Sequence, residues 1–124
     1  MATDVQALLA RMAAQREAWA DLGGGKKLQY RRPPEVELPR LMGGVGLEHV
    51  TQYACGWEGF TEADLLGAGI GGSDAVPFHR DLWAAYAADH AEDVAVVSQA
   101  MAQTVTVYLQ RKADVAKNSQ ASST

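Results

Sequence analysis

The stretch GAGIGGSD, Gly67 to Asp74, has the spacing of the G-x-G-x-x-G dinucleotide-binding fingerprint, and Asp89 lies near the distance expected for a ribose-binding carboxylate. The matching glycines are Gly67, Gly69 and Gly72. In that motif an apolar strand precedes the glycines and a helix follows at once, so that backbone N–H groups meet the pyrophosphate. Here the preceding segment FTEADLL is hydrophilic at three positions, and Pro77 places the next helix too late. The pattern therefore predicts a connection with positive φ angles and no nucleotide cofactor.

The histidines and the single cysteine form no recognisable catalytic or metal-binding pattern. His49, His79 and His90 lack the i, i+4 spacing that puts two ligands on one helical face. His79 and Asp81 could form an acid–base pair, but two polar residues at a helix start more often act as caps. Cys55 has no basic neighbour in sequence that would lower its pKa, which favours a small packed residue. We expect no enzymatic activity and no metal.

The segment KKLQYRR, residues 26–32, interleaves Leu28 and Tyr30 with four positive charges, a composition that suits phosphate neutralisation and base stacking. The chain as a whole has a net charge of −4, and from Leu41 to Gln110 the only basic residue is Arg80. An acidic middle region of this kind repels polyanions. We expect this segment to form a protein contact or a solvated strand face, with no nucleic-acid partner.

Length and composition predict one cytoplasmic domain. The chain has 124 residues, of which 48% are apolar and 21% charged, as in globular proteins with a single core. It contains no apolar run of the roughly 18 residues needed to span a membrane, and its start lacks a signal-peptide layout. One cysteine excludes an intrachain disulfide.

Hydrophobic periodicity predicts a mainly α, single-domain fold with one short strand near residues 26–32 and a long C-terminal helix. The predicted organisation is an N-terminal helical arm over 1–22, a helical domain over 26–117 and a disordered tail over 118–124. The arm helix would begin after Thr3 and run from about Asp4 to Asp21. Three consecutive glycines then stop it and tether it loosely.

Within the helical domain, apolar residues recur at three- and four-residue steps. Helices are predicted from about Val45 to Gly56, from Pro77 through Tyr86, and from about Ala91 to Lys117. Thr61 and Asp64 form a capping-box analogue that predicts a short turn before the glycines. The last helix has the strongest signal, an apolar stripe of Val94, Val97, Met101, Val105 and Tyr108.

The order of four segments resembles the small tail assembly chaperones of long-tailed bacteriophages and prophages. These segments are LQYRRP, VTQYACGWEGFTEADLLG, SDAVPFHRDLWAAYAAD and a long helix that ends in AKNS. The resemblance spans about Lys26 to Ser119. Its most specific elements are GWEGFTEADLLG, Gly56 to Gly67, and VPFHRDLW, Val76 to Trp83.

The resemblance implies a non-enzymatic protein of the host cytoplasm that coats the tape measure protein until tail tube subunits polymerise around it, and that leaves before the virion is complete. In this family a programmed ribosomal frameshift gives a longer product that recruits the tail tube protein. The codons of Ala116, Lys117 and Asn118 are the candidate slippery sequence for such a frameshift. This chain would be the shorter product, and self-association is left open.

The candidate contact residues for such a client combine the basic strand with the family boxes, and core packing is the alternative for each aromatic residue. They are Tyr30, Arg31, Arg32, Trp57, Phe60, Phe78, Trp83 and Tyr86. The main rival function is a head–tail connector or tail completion protein, which would remain in the particle. A nucleotide-binding protein that uses Gly67 to Gly72 is the alternative from the enzyme class.

Overall fold

The computed structural model describes residues 2–41 and 43–122 and contains a three-stranded antiparallel sheet with helices around it. The strands are β1 (Glu17–Gly23), β2 (Lys26–Arg31) and β3 (Ala54–Glu58), in the order β1-β2-β3. The helices are α1 (Val5–Gln15), a 3₁₀ helix (Glu35–Leu41), α2 (Leu47–Gln52), α3 (Glu62–Leu66), α4 (Arg80–Ala88) and α5 (Ala91–Ser122).

The prediction of a mainly α class is wrong. The chain is 57% helical, but 17% of it forms the sheet, which makes it a small mixed α/β domain. The predicted strand near 26–32 is present as β2, and it lies at the centre of the sheet. Both edges of a central strand carry backbone N–H and C=O groups that need partners. Two neighbouring segments supply them, and both had been predicted as helix.

The first of these segments is β1. The arm helix was predicted to reach Asp21, but α1 ends at Gln15 and the chain turns into a strand. All three glycines of the turn have positive φ, at 82°, 61° and 82°, so the triple glycine is a hairpin connection and not a loose tether. Ala20 lies opposite Leu28 and is 2% exposed, because it faces the core. Residues 17–22 therefore belong to the sheet and not to the predicted arm.

The second segment is β3, which replaces the second half of the helix predicted from Val45 to Gly56. Helix α2 ends at Gln52, and Trp57 then pairs with Leu28 across the sheet. The register shifts between Gln29 and Tyr30, which indicates a bulge. Because of this bulge, Ala54 and Trp57, three residues apart as on a helix, both face the core from a strand. Beyond β3, Gly59 has a φ of 78°, and a Cβ there would stand 2.1 Å from the Gly25 carbonyl oxygen. The backbone at Gly59 therefore lies in direct contact with the backbone of the β1–β2 turn at Gly25.

The glycine-rich connection follows a helix, as the capping pattern predicts. Thr61 Oγ1 accepts from the Asp64 backbone N–H at 3.3 Å, and Asp64 Oδ2 accepts from the Thr61 N–H at 2.8 Å. Gly67 and Gly69 have φ values of 106° and 86°. Because α3 and not a buried strand precedes them, the strand–turn–helix arrangement of a dinucleotide site is not formed by this segment.

Helix α4 begins three residues later than Pro77 suggests. The sequence predicts that Ser73 or Asp74 caps this helix in place of His79, or that the cap is weak, but His79 is the N-cap: its Nδ1 atom accepts from the Asp81 backbone N–H at 3.1 Å. A spacing of four residues predicts an inner face of Phe78, Leu82 and Tyr86, and the observed face of α4 is shifted from it. Trp83, Tyr86 and Ala87 are buried, while Leu82 is 39% exposed.

Helix α5 is the long C-terminal helix that the apolar stripe predicts, and it packs on the sheet and on α4 through its first half. Val97 and Met101 are fully buried, and the Tyr30 hydroxyl donates to the Ala100 carbonyl oxygen at 3.0 Å. From residue 109 to residue 119 every α5 side chain is exposed. The helix passes the predicted end at Lys117 and continues to Ser122, so the segment predicted as a tail begins inside it, and residues 123–124 lie outside the described part.

Candidate protein-binding groove

Most of the aromatic residues proposed as client contacts lie in the core. The buried ones are Tyr30, Trp57, Phe60, Trp83 and Tyr86. Trp57 stacks on Phe60 with ring centroids 4.2 Å apart, and Phe60 meets Tyr86 edge-on at 5.3 Å. In this conformation their rings stabilise the domain by packing on each other and are not available to a partner.

The three remaining candidate residues have different surroundings. Phe78 is half-buried, and its ring meets the edge of Trp57 at 5.4 Å. Arg31 is exposed and forms an ion pair with Glu17 at 3.5 Å. Arg32 points to the other side of β2, where its guanidinium stacks on the Tyr108 ring, 3.7 Å from the ring centroid. Of the eight candidates, Arg32 is the one that lines a large groove.

Helix α1 forms one wall of this groove and has an apolar face with no partner in the described chain. None of its residues, all of which are described, is buried. Its large apolar side chains are 45–64% exposed, although their spacing places them on one side of the helix. They are Val5, Leu8, Leu9 and Met12. Asp4 caps the helix by accepting from the Gln6 and Ala7 N–H groups, in place of the predicted Thr3.

The groove lies between α1, the start of β1 and the middle of α5, residues 103–111, and has a volume of about 790 Å³. Its apolar lining comes from Leu9 and Met12 on one wall and from Val107 on the other. Its charged lining consists of Arg16, Glu17, Arg32 and Arg111. Three arginines against one carboxylate make this surface positive within a chain whose net charge is −4.

A hydrogen-bond network holds Tyr108, one of the residues that line the groove. Glu35 Oε2 accepts from the Tyr108 hydroxyl at 2.9 Å and from Lys112 Nζ at 2.5 Å. The hydrogen bond from Lys112, followed by that from Tyr108, lowers the pKa of the exposed Glu35 carboxyl, and the same contact raises the pKa of Lys112. Held in this way, the Tyr108 ring provides a fixed surface for Arg32.

A second, smaller groove of about 320 Å³ lies on another side of α5 and is almost entirely apolar. Leu38 and Leu41 of the 3₁₀ helix line it, together with Gly44, Val45 and four α5 residues, Ala102, Val105, Thr106 and Leu109. It provides apolar contact area but few polar groups that could fix the orientation of a ligand.

The polar groups of the core form a structural network. Tyr86 donates to the buried Asp93 carboxylate, and Lys26 Nζ donates to the Tyr86 hydroxyl at 3.0 Å. Burial, and then the hydrogen bond to Asp93, raises the pKa of Tyr86. Burial also raises the pKa of the Cys55 thiol, which keeps it protonated at neutral pH. Neither group is therefore activated as a base or a nucleophile, and the network joins β2, α4 and α5.

Comparisons with protein-family models, with curated proteins and with solved structures found no match to this chain. Within residues 2–41 and 43–122, no cluster of histidine, cysteine and carboxylate side chains could hold a metal ion. No helix in the same residues is long and apolar enough to cross a bilayer.

Sequence reasoning missed the groove because it placed residues 17–22 in a helix. A short signal for the correct structure was present: ADL before the triple glycine and KLQY after it both alternate between apolar and polar residues, which is typical of a hairpin. With β1 in place, α1 becomes a short helix beside α5, and Arg16 and Arg32 become neighbours. The Arg32 N–H donates to the Arg16 carbonyl oxygen at 2.7 Å.

Proposed function

We propose that this protein is a tail assembly chaperone of the kind found in long-tailed bacteriophages, acting in the host cytoplasm, and that it binds the tape measure protein through the groove between α1 and α5. The observation that carries the proposal is the apolar face of α1, which has no partner in the described chain and adjoins a positively charged groove. An exposed apolar face of this kind typically marks a protein-interaction site.

The groove suits an elongated helical client. Helix-in-groove recognition places an apolar stripe of one helix against apolar walls, with anchor residues spaced by three and four. Leu9, Met12 and Val107 provide such walls on two sides. A client that exposes many apolar stripes along its length would bind many copies of a small protein, which would keep the client soluble until the tube forms.

The tail tube protein is the second partner in this proposal, recruited through the longer frameshifted product. The predicted fusion point at Ala116 to Asn118 lies inside α5, which continues to Ser122. An added segment would therefore start from a helix and not from the disordered tail predicted over 118–124.

Coexpression tests the proposed function. A fragment of the tape measure protein encoded near this gene is produced alone, with the wild-type chain, with the double variant Leu9→Asp and Met12→Asp, and with Ala10→Asp. Ala10 is exposed on the opposite side of α1 and controls for an added charge. We expect the wild type and Ala10→Asp to comigrate with soluble fragment in size-exclusion chromatography, and the double variant to lose this activity.

A fragment set that covers the whole tape measure protein and stays insoluble with the wild-type chain would contradict the chaperone proposal. Mass spectrometry of purified particles separates it from the head–tail connector or tail completion alternative. A chaperone is absent from finished particles, whereas a connector or completion protein is present in a fixed number of copies.

A further inference from the structure

The arginines of the groove have unused hydrogen-bond donors. A guanidinium has five N–H groups, arranged to bind a carboxylate with two parallel hydrogen bonds. Arg16 uses Nε to donate to the Arg32 carbonyl oxygen at 3.1 Å, and Arg32 uses Nη1 to donate to the Pro33 carbonyl oxygen at 2.8 Å. Arg111 forms no ion pair within the described residues. Most of these donors are therefore available to an anionic partner.

Two of these arginines lie beside the same part of α5: Arg111 belongs to the helix, and Arg32 contacts it through Tyr108. Arg32 stacks on Tyr108, and Arg111 follows Tyr108 by three residues, so that both line the same groove. The backbone positions of Tyr108, which holds Arg32, and of Arg111 lie about 4.5 Å apart along the α5 axis, close to one helical turn. Two carboxylates on a partner helix at positions i and i+4 have a similar spacing, roughly 6 Å along their own axis.

The size of the groove agrees with a helical partner. A helix with its side chains occupies roughly 500 Å³ per turn, so a helix that leaves one side in solvent can lie in this groove for roughly two turns. The groove volume is about 790 Å³. Two turns carry an apolar stripe long enough to meet Leu9, Met12 and Val107 together with one pair of acidic residues.

We propose that the groove binds an acidic amphipathic helix, with an apolar stripe packed on α1 and two carboxylates one turn apart bound by Arg32 and Arg111. This inference rests on the proposed function, because the helix would be a segment of the tape measure client. It adds the chemistry by which that segment is selected: an acidic flank beside the stripe, in addition to hydrophobicity.

Charge favours this occupant over a second copy of the chain. Two-fold pairing of the groove with itself would bring α1 and the exposed half of α5 of each copy together. Those elements carry Arg11, Arg111, Lys112 and Lys117 against one carboxylate, Asp114, and Arg16 directly follows α1, so that mainly like charges would meet. A nucleic acid is disfavoured because the aromatic residue of the described lining, Tyr108, already has Arg32 stacked on it.

Peptide binding tests the inference independently of any natural client. The probe is a fluorescent synthetic amphipathic helix with a leucine stripe and two glutamates at i and i+4 beside it. Two matched probes carry glutamine or lysine at those positions. We expect the glutamate probe to bind roughly tenfold more tightly than the glutamine probe, because charge-assisted hydrogen bonds are lost in the latter, and the lysine probe to bind more weakly still.

Protein variants assign the effect to the groove. Arg111→Gln should reduce the preference for glutamate over glutamine several-fold and leave the affinity for the glutamine probe nearly unchanged, as in a double-mutant cycle. Lys117→Gln removes a positive charge from α5 outside the groove and should leave the preference intact. Equal binding of the three probes by the wild type would overturn the inference.

Two other results would also overturn it. One is a dimer in sedimentation experiments that Leu9→Asp abolishes, because a second copy would then be the occupant. The other is displacement of the glutamate probe by a single-stranded oligonucleotide at lower concentration than by the unlabelled peptide. If the probes show the expected preference but no tape measure fragment is solubilised, the groove chemistry stands and the proposed function fails. If fragments are solubilised and the probes bind equally, the proposed function stands and the inference about acidic helices fails.

Discussion

Helices α1 and α4 have similar lengths, 11 and 9 residues, and each has an apolar side, yet they have opposite relations to the core. Helix α4 buries Trp83, Tyr86 and Ala87 and packs against α2 and α5, whereas α1 buries none of its residues, all of which are described. Spacing by three and four shows that a helix has one apolar side. It does not show whether that side is covered by the same chain or by another molecule.

The residue types account for part of this difference. Helix α4 has two large aromatic residues, and its Trp83 Nε1–H donates to the Val50 carbonyl oxygen at 3.2 Å, which satisfies its polar atom inside the core. The apolar face of α1 consists of flexible aliphatic side chains and methionine, which adapt to different surfaces. We therefore assign α4 to stability and α1 to binding, and three measurements test this assignment.

The largest effect is expected on α4. Trp83→Ala should destabilise the domain by roughly 3–5 kcal/mol, since it leaves a cavity and removes the donor to Val50. Leu82→Ala on the exposed side of the same helix should cost less than about 1 kcal/mol. Urea unfolding followed by circular dichroism measures both values. A Trp83→Ala protein as stable as Leu82→Ala would show that α4 is not the packed helix.

Alkaline pH should reduce the stability of the domain by a smaller amount. This effect concerns the packed core and not α1, because α1 contains no tyrosine. Burial and the hydrogen bond to Glu37 raise the pKa of Tyr53 to about 12 from a reference value of 10.0. Burial also raises the pKa values of Tyr30 and Tyr86. Since the folded state holds these protons more tightly, their stabilising contribution is complete below pH 10 and is lost as the pH rises towards 12.

Thermal unfolding at increasing pH, together with ultraviolet titration of the phenols, measures this loss. Tyr53→Phe should make the melting temperature less sensitive to pH in this range. Ionisation of all the tyrosines near pH 10 without unfolding would show that Tyr30 and Tyr86 are not protected by the core.

The smallest effect is expected on α1. The double variant Leu9→Ala and Met12→Ala should change the free energy of unfolding by less than about 0.5 kcal/mol, because both side chains are at least half exposed. The same variant should weaken binding of the amphipathic peptide probe. Chemical denaturation and fluorescence anisotropy on one protein sample compare the two properties. A loss of stability as large as that of Trp83→Ala would remove the distinction between the helices.

Local signals in the sequence predicted the elements whose structure depends on neighbouring residues. The central strand β2, the capping box at Thr61 and the long stripe of α5 are present as predicted. The two outer strands were missed because Trp19, seven residues after Met12, and Trp57, three residues after Ala54, also fit the spacing of a helix. Pairing with β2 decides between these structures, and it involves residues up to about 30 positions away in the chain.

The candidate site could be predicted only in part for the same reason. The basic residue Arg32 was included among the contact candidates, but its partners in the groove, Arg16 and Arg111, come from segments that only the hairpin and α5 bring together. Aromatic residues are common both in interaction surfaces and in cores, so their presence in the sequence does not distinguish the two. The structure places most of the aromatic candidates in the core, where their packing area is largest.

The close approach of the Gly59 and Gly25 backbones limits which substitutions this sequence can accept. At position 59 both the torsion, a φ of 78°, and the 2.1 Å approach to the Gly25 carbonyl oxygen exclude any side chain. Gly24 has open space around it and only a torsional restriction, which asparagine tolerates. Over many generations position 24 can therefore exchange glycine for asparagine, while position 59 stays glycine. A glycine one residue beyond the third strand is thus the feature by which diverged descendants of this hairpin can still be aligned.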